Sequence, residues 1–272
     1  MILFRVGKLI DGTGAAPLEG AALLVEGDRI KAVGRLADIG VPDGAEVIDA
    51  PDATLIPGLI DVHVHLSYSG VPSLRQFRAE LVDMNYALIS LRAAHYAKET
   101  LLSGFTAVRD MHAPGGTIID LRDAVRAGYV TGPRIMACGM GLTVTGGHMD
   151  QGGFADHVNF RDFTFPCDGP DEFRKGVRSQ MRRGADFIKV NPCVGSRKDP
   201  DSKPYRFEMT PAEMRAACDE AHEMGFHVGA HTSGGSPLRA AVEAGCDTIE
   251  HGHWIDDKTL ELMAKKGTYL VP

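Results

Sequence analysis

The sequence predicts an α/β protein, a (β/α)8 TIM-type barrel preceded by a small all-β unit. Residues 1–55 alternate short β-like runs with turns. From Leu55 onward, apolar strand-like runs alternate with helical segments, and polar residues concentrate where those runs end. Because the active sites of such barrels lie at the carboxyl ends of the strands, these polar residues are the candidate functional side chains.

The first 55 residues have the pattern of an all-β unit. Turn sequences such as EGDR and DGA separate its apolar runs. The four predicted strands are Ile2–Val6, Ala22–Glu26, Arg29–Val33 and Glu46–Asp49. We therefore predict a domain boundary near residue 55 and assign residues 56–272 to the barrel.

Seven strand-like runs follow in the barrel region: LIPGLIDVHVHL, FTAVRDM, RIMACGM, DFIKVN, FHVGAH, DTIEHG and TYLVP. Residues 210–213 (TPAE) combine a capping box with proline at the first helical position, and Ser-Pro at 236–237 predicts the start of the next helix. Gly225 and Gly245 mark the ends of these two helices. The prediction lacks an eighth strand, since the seventh run ends at Pro272.

The composition excludes several classes of protein. The formal net charge is -7 and no run is rich in Lys or Arg, so we expect no nucleic-acid partner. No window approaches about 18 uninterrupted apolar residues and the N-terminus lacks a signal-peptide pattern, which predicts a cytoplasmic protein that does not enter a membrane. The five cysteines form no CxxC pair, which favours reduced thiols over a disulfide framework.

A pair of histidines ends the first barrel run. In DVHVH, the period-2 geometry of a strand places His63 and His65 on one face, so that both imidazoles point in the same direction. Two polar core residues with satisfied hydrogen bonds would explain such a pair equally well. Its position at the end of an apolar strand favours a metal site.

Lys189 lies near the end of the fourth run, DFIKVN. A lysine directed into a barrel would bury an ammonium group at a cost of several kcal/mol unless it is paired or chemically altered. One interpretation is an outward-facing lysine in a salt bridge between helices. The other is a lysine carboxylated by carbon dioxide, which becomes an anionic ligand able to bridge two divalent metal ions.

Histidines also end the fifth and sixth runs. His227 and His231 share strand parity but lie roughly 13 Å apart at about 3.3 Å per residue, so both cannot bind one metal. We assign His231 to the site and His227 to the opposite end of the barrel. His251 directly follows an apolar run, whereas His253 fits a loop as well as a strand.

The succession GLIDVHVHL, FIKV, GAHTSGG and IEHG resembles the amidohydrolase superfamily over essentially the whole chain. The resemblance implies that the N-terminal unit is part of a small β-sandwich and that the barrel holds two divalent metal ions. It implies further that His63 and His65 bind the more buried ion, that carboxylated Lys189 bridges, and that His231 and His251 bind the second ion. Imidazole and carboxylate-type oxygen ligands favour zinc.

Two further segments, VRDMHAPGG and TVTGGHMD, resemble the prolidase-like dipeptidase branch, which lies near the imidazolonepropionases. That resemblance implies that His148 helps to hold the substrate and that Tyr205 contacts the reacting group. The alternatives are a glycine-rich loop chosen for backbone freedom and an ordinary loop aromatic. Arg109 and Asp110 would support the metal ligands through hydrogen bonds or form a structural ion pair.

The sequence departs from the superfamily in one respect. Members carry a metal-binding aspartate at the end of strand eight, which commonly serves as general base, and this sequence ends before that strand. No residue here is assigned its role. We expect the chain to be a piece of a longer protein, because an open barrel would expose two unpaired edges; a strand supplied from elsewhere and an inactive product are the alternatives.

Together these features predict an enzyme that hydrolyses the amide (peptide) bond of a small substrate, an Xaa-Pro or related dipeptide, through a metal-activated bridging water. A first alternative is a cyclic-amide hydrolase or deaminase, resembling imidazolonepropionase, with one metal. A second is a non-catalytic barrel protein. The expected partner is a small-molecule substrate, and a homo-oligomer is left open.

Overall fold

The computed structural model describes residues 1–71, 73–150, 163–193 and 208–272. The chain divides into two units, Met1–Leu59 and Ile60–Pro272. The strands and helices below are numbered along the whole chain.

The first unit contains one four-stranded sheet with the order β3-β2-β1-β4. β1 pairs antiparallel with β2 and parallel with β4, while Leu3, Ala22 and Leu24 form a small core beside it. Its elements are β1 (Ile2–Leu9), β2 (Leu18–Glu26), β3 (Arg29–Arg35), α1 (Leu36–Ile39) and β4 (Glu46–Leu55). All four predicted strands form, and each is longer than predicted.

The β-sandwich of which the resemblance makes this unit a part stays a prediction. A sandwich needs two packed sheets, and β1 to β4 all hydrogen-bond within one sheet. Ile30, Val33, Val47 and Ile48 are exposed on β3 and β4.

The second unit alternates strands with helices, as predicted. Its strands are β5 (Leu59–Val64), β6 (Phe105–Asp110), β7 (Arg134–Ala137), β8 (Leu142–Thr143), β9 (Phe165–Pro166), β10 (Ile188–Val190), β11 (Val228–Gly234), β12 (Thr248–Trp254) and β13 (Tyr269–Val271). Its helices are α2 (Leu74–Asp83), α3 (Tyr86–Leu102), α4 (Thr117–Arg126), α5 (Pro170–Arg182), α6 (Pro211–Glu223), α7 (Gly235–Ala244) and α8 (Asp257–Lys266).

These strands form two sheets whose order is consistent with a (β/α)8-type barrel. The first has the order β5-β6-β7, and the second has the order β13-β12-β11-β10-β8-β9. The pairs from β10 through β13 are parallel. Every predicted strand-like run is represented, and the carboxyl ends of β10, β11 and β12 therefore lie at one edge.

The third predicted strand is interrupted. β7 pairs with β6, whereas β8, a few residues later, pairs with β10. Gly139, between them, has φ 75°, a left-handed conformation that breaks the extended backbone. The Met140 N–H donates instead to the buried side chain of Gln180, at 3.0 Å.

The helix signals are confirmed with one shift. Thr210 and Glu213 form the predicted capping box at the start of α6, and Gly225 and Gly245 follow the ends of α6 and α7 with φ of 78° and 106°. α7, however, begins at Gly235, so that residues 236–237 lie in its first turn. The reason is that β11 continues to Gly234, which pairs with Trp254 of β12.

A largely apolar cavity of about 920 Å³ lies beside the two end strands, β5 and β13. Ile60 and Val62 line it from β5, and Tyr269, Leu270 and Val271 line it from β13. None of the five predicted metal ligands lines this cavity. Among the described helices, none combines the length and apolar character needed to cross a bilayer.

Candidate metal centre

The predicted ligands lie in, or directly after, four strands of the second unit. His63 is the penultimate residue of β5 and His65 follows that strand, whereas Lys189 lies in β10. His231 and His251 lie in β11 and β12, which pair directly.

The four histidine rings form a continuous cluster. The ring centroid of His63 is 5.3 Å from that of His65 and 4.8 Å from that of His251. The His251 centroid lies 4.8 Å from that of His231. The folded chain therefore brings together side chains separated by up to 188 residues (251 − 63).

Lys189 faces inward and is 3% exposed. Its Nζ has no hydrogen-bond partner among the described residues. Burial lowers the pKa of Lys189 to about 8, although the negative charge of Glu250 opposes that shift. The interpretation of Lys189 as an outward-facing lysine in a salt bridge is therefore wrong.

Three histidines of the cluster, His65, His231 and His251, are held neutral. Burial lowers the pKa of His65 and His231 well below the ordinary value, and neighbouring histidines and Lys189 add to the effect. Burial likewise lowers the pKa of His251 to about 4. Neutral imidazoles can bind a metal ion without first losing a proton.

His251 has an unusual backbone conformation, with φ 74°. The β11–β12 pairing shifts here: Thr232 pairs with His251, but Gly234 pairs with Trp254, so that β12 contains one extra residue. Such bulges occur beside active sites, where they redirect a side chain. The bulge lets His251 face the cluster although the preceding residue, Glu250, also faces inward.

Glu250 was not identified from the sequence, yet it makes some of the shortest contacts in the site. Its Oε2 accepts a hydrogen bond from His63 Nδ1 at 2.8 Å, and its Oε1 accepts one from Arg109 Nη2 at 2.7 Å. Although burial opposes ionisation, the hydrogen bond from His63 and the positive charges of Lys189 and Arg109 lower the pKa of Glu250 to about 2. The signal available in the sequence was a carboxylate directly before the candidate ligand in IEHG.

Asp110 ties the ends of β5 and β6 together. It is fully buried and accepts hydrogen bonds from the backbone N–H of Leu66 at 2.8 Å and of His112 at 3.2 Å. Burial raises the pKa of Asp110 to about 7, against the effect of these two bonds. Arg109 and Asp110 were expected either to support the ligands through hydrogen bonds or to form a structural ion pair. Arg109 forms its ion pair with Glu250, whereas Asp110 accepts hydrogen bonds from the backbone beside His65.

His112 is a buried histidine that, like Glu250, was not identified from the sequence. Its Nδ1 accepts a hydrogen bond from Gly141 N at 2.7 Å, and its carbonyl lies 3.2 Å from His65 Nδ1. Burial lowers the pKa of His112 to about 3, so the ring is neutral with its proton on Nε2. His112 therefore orients His65 through its backbone.

His148 lies against the predicted ligands, whereas Tyr205 is outside the described residues. The His148 ring stacks on that of His231, with centroids 3.9 Å apart and planes 6° apart. Its backbone N–H donates to Glu208 at 2.6 Å. Burial lowers the pKa of His148 to about 4, with a further contribution from Lys189.

His227 and His253, which were considered beside His231 and His251 as candidate ligands, lie in different places. The side chain of His227 is 79% exposed and forms an ion pair with Asp247, before the first residue of β11. His253 lies within β12, and its ring stacks beside that of His251, with centroids 5.7 Å apart.

The donor set fits divalent metal ions. In the described part of the chain, no three His, Cys, Asp or Glu side chains already converge at ligand distances around one point. The rings are nevertheless adjacent, and both Lys189 Nζ and His231 Nε2 are buried without a hydrogen-bond partner among the described residues. Buried polar atoms of this kind are costly unless a ligand satisfies them, and neutral imidazoles suit zinc.

Comparison with known proteins agrees with this architecture. Residues 54–272 match the model of the amidohydrolase family. Ochratoxinase of Aspergillus niger is 30% identical over 99% of this chain and 58% of its own length. The chain thus spans less than two thirds of that relative.

Two solved structures are also similar. An Xaa-Pro dipeptidase with methionine bound in its active site has a TM-score of 0.84 and 32% identity, covering 100% of this chain and 66% of the other. A prolidase complexed with N-methylphosphonate-L-proline has a TM-score of 0.85 and 30% identity, covering 100% and 65%. These similarities confirm the resemblance to prolidase-like proteins.

Proposed function

The chain belongs to the amidohydrolase family, and we propose that it hydrolyses the amide bond of a small substrate with the help of two divalent metal ions. The observation that carries the proposal is the cluster of histidines beside the buried amine of Lys189, which has no hydrogen-bond partner among the described residues.

The proposed ligands are His63 and His65 for one ion and His231 and His251 for the other, with zinc as the metal. When bound, such ions polarise the scissile carbonyl and activate water near neutral pH. The chain supplies imidazoles in a partly buried site, where each interaction with developing charge is stronger than in water.

Lys189 is proposed to carry a carboxyl group that bridges the two ions. Its pKa of about 8 leaves a fraction of the amine neutral near physiological pH. The ammonium group first loses one proton. The neutral Nζ then attacks carbon dioxide: one N–C bond forms as one C–O π bond breaks, and a second proton leaves the nitrogen, so that the side chain changes from a cation to an anionic carbamate. The buried amine, which has no hydrogen-bond partner among the described residues, supports this assignment.

His148 is proposed to hold the substrate. It is neutral, partly buried and in contact with His231, so its ring can donate a hydrogen bond to a carbonyl or carboxylate beside the ions. Tyr205 is proposed as a second contact to the reacting group, on the strength of the family resemblance alone.

The proposed substrate is an Xaa-Pro or related dipeptide. The support comes from the two similar structures, an Xaa-Pro dipeptidase and a prolidase bound to a proline derivative. The name of ochratoxinase points to a different substrate, so amides other than dipeptides belong in the test.

The test is hydrolysis by the metal-depleted chain after zinc is restored. Xaa-Pro dipeptides, other dipeptides, N-acyl aromatic amino acids and cyclic amides are incubated with it, and released products are measured. We expect zinc-dependent release of amino acids from dipeptides and two zinc ions per chain. One ion per chain with turnover of cyclic amides only would replace the dipeptidase assignment, and failure to hydrolyse any amide would overturn the proposed function.

The carbamate is tested separately with carbon-13 bicarbonate and carbon-13 NMR. Lys189→Met keeps the side-chain volume but removes the amine, and exposed Lys175→Met on α5 is the matched control. We expect a carbamate signal in the parent and in the control but none in Lys189→Met. The same signal in all three proteins would contradict the assignment.

A further inference from the structure

Glu250 lies in the interior of the second unit and is fully buried. Both of its carboxylate oxygens are engaged. Oε1 accepts hydrogen bonds from Arg109 Nη2 at 2.7 Å and from Thr248 Oγ1 at 2.5 Å, whereas Oε2 accepts one from His63 Nδ1 at 2.8 Å. Most of the acceptor capacity of the carboxylate is therefore used by protein groups.

Arg109, which donates to this carboxylate, is itself held in place by three further contacts. Its Nε donates to the carbonyl of Val62, the residue before His63, at 2.7 Å, and its Nη1 donates to Thr248 Oγ1 at 3.2 Å. The guanidinium also lies over the ring of Phe187, with Cζ 5.4 Å from the centroid. One arginine on β6 thus connects the backbone of β5 to two side chains of β12.

The packing leaves room for the carboxylate and little more. A Cβ on Gly229 of β11 would lie 3.1 Å from Glu250 Oε1 and 3.0 Å from Thr248 Oγ1. Contacts this close require neighbouring atoms to move. The absence of a side chain at Gly229 therefore preserves the position of Glu250.

We propose that Glu250, held by Arg109 and Thr248, is a positioning residue that fixes the ring orientation and tautomer of His63 for metal binding. The inference rests on the proposed function, because it assigns a role toward the metal that His63 would bind. A carboxylate that accepts the Nδ1 proton leaves Nε2 of His63 as the lone-pair nitrogen. Such carboxylate–histidine contacts typically orient metal ligands and increase their basicity.

Glu250 is not itself the proton acceptor for hydrolysis. A general base must lie within hydrogen-bond reach of the proton that it accepts. The oxygens of Glu250 are instead engaged by Arg109, Thr248 and His63. The geometry therefore favours a role through His63 over direct participation.

The test compares Glu250→Gln with Glu220→Gln. Glu220 is a matched control because it is also buried and forms an ion pair with an arginine, Arg178. Unlike Glu250, Glu220 lies on a helix, α6, and contacts none of the proposed ligands. Zinc affinity is measured by competition with a chromophoric chelator, and the His63 tautomer is measured by nitrogen-15 NMR of the metal-free protein. We expect about 10- to 100-fold weaker zinc binding and a mixture of His63 tautomers in Glu250→Gln, with neither change in Glu220→Gln.

A second variant guards against misfolding caused by an unpaired arginine. The double variant Arg109→Gln/Glu250→Gln removes both charges together, and we expect the same loss of zinc affinity and of the single tautomer. Parent-like zinc affinity and a parent-like tautomer in the folded variants would overturn the inference while leaving the proposed function intact. Failure of the parent chain to bind zinc would overturn both.

Discussion

Glu250 and His251 are consecutive residues of β12, yet both side chains contact the imidazole of His63. Consecutive residues of a regular strand point to opposite faces. The two can face the same site because His251 has φ 74° within a bulge. The positive φ costs about 1 kcal/mol in a residue with a Cβ, and such strain is typical of functional sites.

We expect the substitution His251→Gly to relieve the backbone strain at this position and, at the same time, to remove one proposed metal ligand. The matched control is His253→Gly, since His253 also lies in β12 but does not have a positive φ. In the metal-free protein, the free energy of unfolding of His251→Gly should exceed that of His253→Gly by about 1 kcal/mol. Urea denaturation measures the difference. Zinc content should fall from two ions to one only in His251→Gly; a less stable His251→Gly would contradict the account.

His148→Ala should impair catalysis without removing metal. The loss of a hydrogen bond to a charged substrate group, roughly 1.5–3 kcal/mol, corresponds to a kcat/KM about 10- to 100-fold lower. Exposed His95→Ala on α3 is the control and should behave like the parent. If His148→Ala instead lost one zinc ion per chain, His148 would be a ligand.

Asp247 should make stability depend on pH far from the proposed centre. Burial alone would raise its pKa, but hydrogen bonds from His222, from Val228 N and from His227 lower it overall. A lowered pKa means that the folded state binds fewer protons than the unfolded state. Its stabilising effect is therefore present above the ordinary pKa of about 3.9 and disappears as the pH falls through the folded-state value.

Asp247→Asn should accordingly lower the free energy of unfolding at pH 7 by on the order of 1 kcal/mol. Its difference from the parent should shrink as the pH falls below about 4. Denaturation at a series of pH values measures this, with exposed Asp219→Asn on α6 as the control. A difference that grows under acidic conditions would be the opposite of the expected sign.

Removal of metal should lower thermal stability. A ligand at about 100 times its Kd stabilises the folded state by about 2.7 kcal/mol, which corresponds to a Tm change of roughly 5–10 °C for a chain of this size. Chelation should therefore lower the Tm of the parent. The double variant His63→Ala/His65→Ala should show a smaller shift, because only the ion held by His231 and His251 would remain, and an equal shift in both proteins would contradict the assignment of His63 and His65 as ligands.

The sequence predicted those features that follow regular strand geometry. His63 and His65 are two residues apart, so parity alone placed them on one face, and Lys189 was recognised because an inward lysine is costly. Glu250 was missed because parity places it opposite His251, and the bulge that brings both inward has no sequence signal of its own. The start of α7 was misplaced because β11 extends to Gly234 through tertiary pairing with Trp254.

The interruption of the third strand and the orientation of His112 were also beyond local reasoning. Gly139 indicates a turn only once its φ is known, and the orientation of the His112 ring depends on a hydrogen bond from Gly141. The formation of one sheet by the four N-terminal strands was not predictable either, because pairing among these strands, rather than their number, decides whether they form one sheet or two.

Anomalous diffraction at the zinc absorption edge from zinc-loaded crystals tests the central claim most directly. The account predicts two zinc peaks, the first within ligand distance of His63 and His65 and the second within ligand distance of His231 and His251, with density for a carboxyl group on Lys189 between them. Zinc peaks only at other residues, or no peak beside the histidine cluster, would contradict it.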